Sequence, residues 1–432
     1  MRGFSLLTKS ARVNVMSIQP AQGTPDMKPY LTVASLLLLV STGVADDWPA
    51  WRGPTGQGHS GETKLPLSWS SDKNVKWKVA LSEPGNSTPI VWKDKIFLTQ
   101  ANKGGSVRSL LCLNRADGST VWKKDVAYAE KERNWNPSWY GNASPVTDGE
   151  RVIVSFGSAG MYCYDFAGKE IWKRTDLGAW DHAFGNSASP VLHGEHVILW
   201  CGPNEKMGRN FLLCAKKATG ETVWEHDEKF GSWGTPTIAK VGGKDQILLS
   251  THPALKGIDL ANGKDLWFCE GLSIYVYTSP LTNGDIAVAM SGYNGPALAV
   301  KLGGTGDITK DRLWHHPKNT QRVGSGVIVG EHVYIIEENG VPHCYELKTG
   351  KEVWQVKTRP AGEKTWGSMV HADGRLYVMM HNGETVVLAA SPKYEVLAVN
   401  PLGEETHSTP IVSDGEIFLR TFKHLWCIAE KK

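Results

Sequence analysis

The stretch SASPVLHGEHVILWCGPNEKMGRNFLLCAKKATGETVWEHDE, residues 187–228, decides the fold. It contains four short segments of strand character separated by turn signals. SASPVLH begins at Ser187, Gly194 lies in the turn HGEH, and HVILWCG is rich in β-branched and apolar residues. A polar loop, PNEKMGRN, leads to FLLCAKK; ATGE then turns the chain and TVWEHDE follows as a fourth strand. Working outward, the closing cassette returns as ADGSTVW, FAGKEIW, ANGKDLW and KTGKEVW, with Gly118/Trp122, Gly168/Trp172, Gly220/Trp224, Gly263/Trp267 and Gly350/Trp354 four residues apart. Repetition at this period means a ring or stack of like units.

A second marker counts the units. A small residue followed by Ser or Thr recurs at Thr88, Ser144, Ser189, Thr235, Ser279, Ser325, Ser368 and Thr409, mostly followed by proline. The spacing is near the ~40–45 residues of a four-stranded propeller blade. The fold expected is all-β: an eight-bladed β-propeller of four-stranded antiparallel blades. The marker belongs to the innermost strand, where small residues fit the crowded centre and proline suits an open edge. The tryptophan belongs to the outermost strand, wedged between adjacent sheets. The last repeat stops after three strands. Asn74 to Leu81, with Trp77 in the tryptophan position, supplies the fourth, so the N-terminal strand completes the last blade and leaves no free edge. Two blades depart from the pattern: Trp314 lacks the preceding glycine, and Val396 stands in place of the ring.

The chain has 432 residues and a formal charge of +3. It shows no basic stripe of the kind nucleic-acid binding requires, which argues against that partner. Leu31 to Val40 is an apolar run too short to span a bilayer comfortably; Lys28 precedes it and Gly43-Val44-Ala45 follows as a small-x-small site. The expectation is an N-terminal extension and signal peptide over 1–45, a leader over 46–73 and the propeller over 74–432. Export follows cleavage near Ala45, to the periplasm or the outside, with no membrane span in the mature chain and a monomeric state. An uncleaved anchor is the alternative, and Met27 is a second candidate start. Of seven cysteines, Cys112, Cys163, Cys214, Cys344 and Cys427 occupy one place in their repeats and read as small buried hydrophobes rather than disulfide partners.

These cassettes resemble the tryptophan-docked repeats of PQQ-like, quinoprotein-type propellers. That superfamily includes pyrroloquinoline-quinone (PQQ) dehydrogenases and the lipoprotein subunit of the outer-membrane β-barrel assembly machinery. The leader DWPAWRGPTGQGHS is similar to that of secreted PQQ-like propellers of planctomycete-type bacteria. The resemblance spans about residues 47–430 and implies the fold; the fold hosts unrelated functions. Catalytic members hold PQQ against two adjacent cysteines, with calcium beside a catalytic aspartate. Here no two cysteines are adjacent and no C-x-x-C-H motif occurs.

Loops that enter the innermost strands are the place to look for a site. They carry Trp135, Trp139, Asn142, Trp180, Asp181, His182, Asn186, Trp233, Trp366 and His407. Such a collar of rings, amides and imidazoles suits a planar or glycan-like ligand; the alternative is that the rings simply plug the channel. Asp181, His182 and Asn186 read either as loop-stabilising residues or as a metal or acid–base cluster, although neither chemistry needs this spacing. His381, Glu337 and Glu338 read as solvated strand connections, and Gly303 to Asp307 as a wide hairpin. The function expected is an exported, non-catalytic binding or scaffold propeller, with an unknown protein or a small ligand as partner. A PQQ- and calcium-dependent oxidoreductase and a cell-envelope assembly scaffold are the alternatives.

Overall fold

The computed structural model describes residues 47–133, 140–205, 208–292, 295–318, 322–356, 359–361 and 364–430. The apolar run at 31–40 therefore lies outside the described residues. Eight sheets form the ring of blades. Blade one runs Ile90–Trp92, Lys95–Ala101, Val107–Asn114 and Thr120–Ala127 from axis to rim. Blades two to seven repeat this order, starting at Val146, Val191, Thr237, Leu281, Val327 and Val370. Blade eight has Ile411–Ser413, Glu416–Arg420 and His424–Ile428, and its outermost strand is Val75–Ala80 from the other end of the chain. Closure is as expected.

The tryptophan cassette has a mechanical basis in every blade. On the outermost strand a β-bulge falls just before the tryptophan position, and the same register shift occurs in all eight sheets. A bulge adds a residue and re-aims its neighbour. Here it tips the indole off the strand and over the next blade. Trp122 Nε1 donates to the Phe166 carbonyl at 2.9 Å, Trp172 Nε1 to Lys217 at 3.0 Å and Trp224 Nε1 to Leu260 at 2.9 Å. The cassette glycine of the receiving blade lies flat under that ring: a Cβ at Gly220, φ +75°, would come within 2.7 Å of the Trp172 indole. In blade seven the residue just after the bulge is Ala398, paired with Val387, so Ala398 and not Val396 holds the ring position.

The cysteines stand directly opposite these rings: Cys112 pairs with Trp122, Cys163 with Trp172, Cys214 with Trp224, Cys344 with Trp354 and Cys427 with Trp77. All seven are free and buried. Burial pushes the thiols of Cys112, Cys163 and Cys214 up to about 12, so they are inert packing groups.

Blade four differs. Trp267 folds inward over Gly257 of its own sheet and donates to Gln246 Oε1 at 3.0 Å. The segment expected as a wide hairpin explains why: Gly306–Asp307 leaves blade five and pairs in parallel with Trp267 and Phe268 as a fifth strand. With this extra strand at the rim, Trp267 is fully buried.

Candidate functional site

The Ser/Thr markers form a belt around the axis in two hydrogen-bonded arcs, Thr88 to Thr235 and Ser279 to Thr409. The Thr88 N–H donates to Ser144 Oγ at 2.9 Å, Ser144 N–H to Ser189 Oγ at 3.0 Å and Ser189 N–H to Thr235 Oγ1 at 3.0 Å. The same link joins Ser279 to Ser325, Ser325 to Ser368 and Ser368 to Thr409. The innermost strand has no sheet neighbour on its axial side, and the hydroxyl of the next blade satisfies the N–H that this would orphan. Where the first and last blades meet, Arg420 Nη1 takes over and donates to the Ser87 carbonyl at 2.9 Å.

Two residues before each marker, one side chain per blade turns toward the axis. In blade order these are Asn86, Asn142, Ser187, Trp233, Tyr277, Val323, Trp366 and His407, and all of them line one cavity of about 620 Å³. Local turn chemistry presents three of them. The hydroxyls of Ser232, Thr365 and Thr406 accept the N–H groups of Gly234, Gly367 and Ser408 at 3.2, 3.1 and 3.0 Å. That tight turn lifts Trp233, Trp366 and His407 from the backbone into the opening.

The leader closes the far end. Trp48 exchanges two backbone hydrogen bonds of 2.9 Å with Val91, and Thr147 N–H donates to the Pro49 carbonyl at 2.9 Å. Arg52 is fully buried and donates to the carbonyls of Gln57, Ser325, Gly326 and Met369. Thr282 N–H donates to Gln57 Oε1 at 2.7 Å. These partners lie at or just beyond the markers, at the opposite ends of the innermost strands from the collar. Trp51, between them, lines the cavity. The space is thus a blind pocket: collar at the mouth, hydroxyl belt as wall, leader as floor.

Its two sides differ. Trp233, Tyr275, Tyr277 and Phe184 form one aromatic arc, with centroids 5.1 Å apart for Trp233–Tyr277 and 6.0 Å for both Trp233–Tyr275 and Phe184–Tyr275. Across from it, His407 packs 4.5 Å from Trp366 and 4.1 Å from His381. Burial, and then the neighbouring His381, pushes His407 down to about 3; burial pushes His381 down to about 4. Both are neutral imidazoles near pH 7. Glu338 also lines the pocket, and its Oε1 accepts the Trp366 Nε1 hydrogen at 3.0 Å.

Of the residues singled out from sequence, Asn142, Trp233, Trp366 and His407 meet in this cavity. Trp180 does not: it is buried in the core between blades two and three, its Nε1 donating to Leu177 at 3.2 Å. Asp181 grips Arg133 at 3.0 Å, and His182 pairs with Glu205 at 2.9 Å while its Nδ1 accepts the Phe184 N–H. His182 stands edge-on to Trp233 at 4.6 Å. It braces the aromatic arc from behind. Asn186 lies one position short of the collar, and its carbonyl accepts Asn142 Nδ2 at 3.1 Å. Trp135 and Trp139 lie outside the described residues. Glu338 and His381 are corrections: neither is a solvated connection, since one lines the pocket and the other stacks behind its wall. Glu337 is likewise buried, paired with His343. Asn86, Ser187 and Val323 were detectable by counting two back from each marker. Trp51 carried no such signal.

With fold and pocket in place, the family model described as outer membrane protein assembly factor BamB matches residues 107–356 and 341–431. The chain belongs to this PQQ-like propeller family. Among solved structures, BamB from Moraxella catarrhalis is 13% identical, with 82% of this chain and 96% of that one covered at a TM-score of 0.58. The quinohemoprotein alcohol dehydrogenase of Comamonas testosteroni is 12% identical, covering 90% and 81% at 0.63. A europium-containing methanol dehydrogenase is 11% identical, covering 86% and 89% at 0.62. At such identities the likeness is one of fold. No curated protein matches the sequence.

A quinone cofactor can be tested against the pocket's own chemistry. PQQ is a planar polycarboxylate, and holding one takes cationic donors and a calcium site. No Lys or Arg is among the described residues that line this cavity, and Glu338 is the one carboxylate among them. Among the described residues no group of three or more His, Cys, Asp or Glu side chains could hold a metal ion. The described lining does not fit PQQ with calcium.

Proposed function

We propose that this protein is an exported binding propeller that takes a small ring-shaped ligand, glycan-like or planar, into the blind pocket without chemistry of its own. The eight-position collar carries the reading. Rings on one side offer flat apolar faces to a pyranose or an aromatic plane, and the Asn86 amide supplies directional hydrogen bonds on another. Titrating the protein with mono- and disaccharides and planar aromatics, read by tryptophan fluorescence, tests it. Saturable quenching that Trp233→Ala removes supports the reading; a flat response across the panel, at concentrations up to millimolar, ends it.

The family match favours a second reading, a cell-envelope assembly scaffold. A partner protein captured equally by wild type and Trp233→Ala would support it, because docking on the blades does not use the pocket. Export rests on the segment 31–45 and on the family. N-terminal sequencing of the mature protein should give a start near Asp46.

A further inference from the structure

The collar is electrically one-sided. Glu338 enters from blade six, between Tyr277 of blade five and Trp366 of blade seven, and is the only carboxylate among the described lining residues. No described cation lines the pocket to balance it. Arg322 adjoins Val323 in sequence, but it is fully buried behind the wall, facing Glu337 and Tyr345. The imidazole of His407 adds no positive charge near neutrality. An aromatic face is itself a site of negative potential, and several around one space attract a cation, most strongly when water is excluded. Trp366 is held in place by the same carboxylate.

We infer that the pocket selects an organic cation, a quaternary or methylated ammonium group carried on a small ligand, seated between the rings of Trp233, Tyr277 and Trp366 with Glu338 as its counter-charge. This rests on the binding function proposed above and narrows it to a ligand class. A neutral glycan satisfies the rings and amides but leaves Glu338 without a charge partner from the ligand, at a desolvation cost. An anion meets both the carboxylate and the ring faces.

The test compares choline with 3,3-dimethyl-1-butanol, its neutral carbon isostere, by calorimetry on the mature full-length chain. Choline should bind about tenfold or more tighter than the isostere. Glu338→Gln keeps an acceptor for Trp366 and should weaken choline about tenfold while leaving the isostere unchanged. Equal affinity for the two ligands overturns the inference, as does a failure of choline to bind or an equal effect of Glu338→Gln on both. The wild-type comparison stands even if the variant does not fold. Saccharides that bind where choline does not would sink the cation inference alone; silence from every ligand would sink the binding function with it.

Discussion

Trp77 pairs with Cys427 across the seam where the two ends of the propeller share one sheet, and its Nε1 donates to the Arg115 carbonyl of blade one at 2.9 Å. One side chain therefore fastens the first strand to the last blade and that blade to the first. Trp77→Ala removes the indole contact with Phe418, 5.9 Å away, and the hydrogen bond together. Because the ring is partly exposed, the loss should be about 2–3 kcal/mol, below the range for a fully buried aromatic. A lowered denaturant midpoint checks it; an unchanged midpoint would show that the seam does not limit stability.

The hydroxyl belt predicts a contrast between two serines. Ser144→Ala deprives the buried Thr88 N–H of its acceptor and should cost about 1–3 kcal/mol. Among the described residues the buried Ser279 hydroxyl has no hydrogen-bond partner, so Ser279→Ala should be neutral or slightly stabilising. Parallel urea titrations decide, and equal losses would refute the belt.

Indole docking depends on absent β-carbons. Gly220→Ala introduces a Cβ against Trp172 at a backbone φ of +75°, so packing and conformation both suffer. Gly257→Ala drives a Cβ into Trp267 within a single sheet. Each should cost about 1–3 kcal/mol. Alanine at Gly415, φ +71° with open space around it, isolates the backbone part and should cost less in the same thermal melts.

Acid should loosen the protein through its buried histidines. His407 is pushed down to about 3, and His381 and His59 to about 4, in each case first by burial. The unfolded chain takes up these protons near the ordinary histidine value of 6.5, while the folded chain resists. Stability is therefore full above that value and is lost as pH falls toward 4. His407→Gln should flatten the fall by up to about 1.4 kcal/mol per pH unit. Denaturation curves between pH 7 and 4 report it, and identical slopes for wild type and variant would count against a neutral, buried His407.

The repeat count, the blade order, ring closure and the common place of the cysteines were all readable in the chain. They depend on hydrophobic alternation, turn residues and period, which are local properties repeated eight times, so each blade corroborates the others. The pairing of Trp77 with Cys427 follows from that register alone. Collar membership was partly readable, because Asn142, Trp233, Trp366 and His407 hold a fixed offset from the marker.

What the tertiary structure decided is where non-repeating side chains go. The glycine and tryptophan of one cassette do not hold each other; Gly220 holds the tryptophan of the blade before it, a contact made only when neighbouring sheets stand side by side. Trp180 and Trp233 occupy similar loops, yet one points into a core and the other into the cavity, because a loop's direction is set by what packs beneath it. The floor built by Trp51 and Arg52 had no periodic signal. A leader of unique sequence finds its place only through carbonyls that a closed ring of strands brings together.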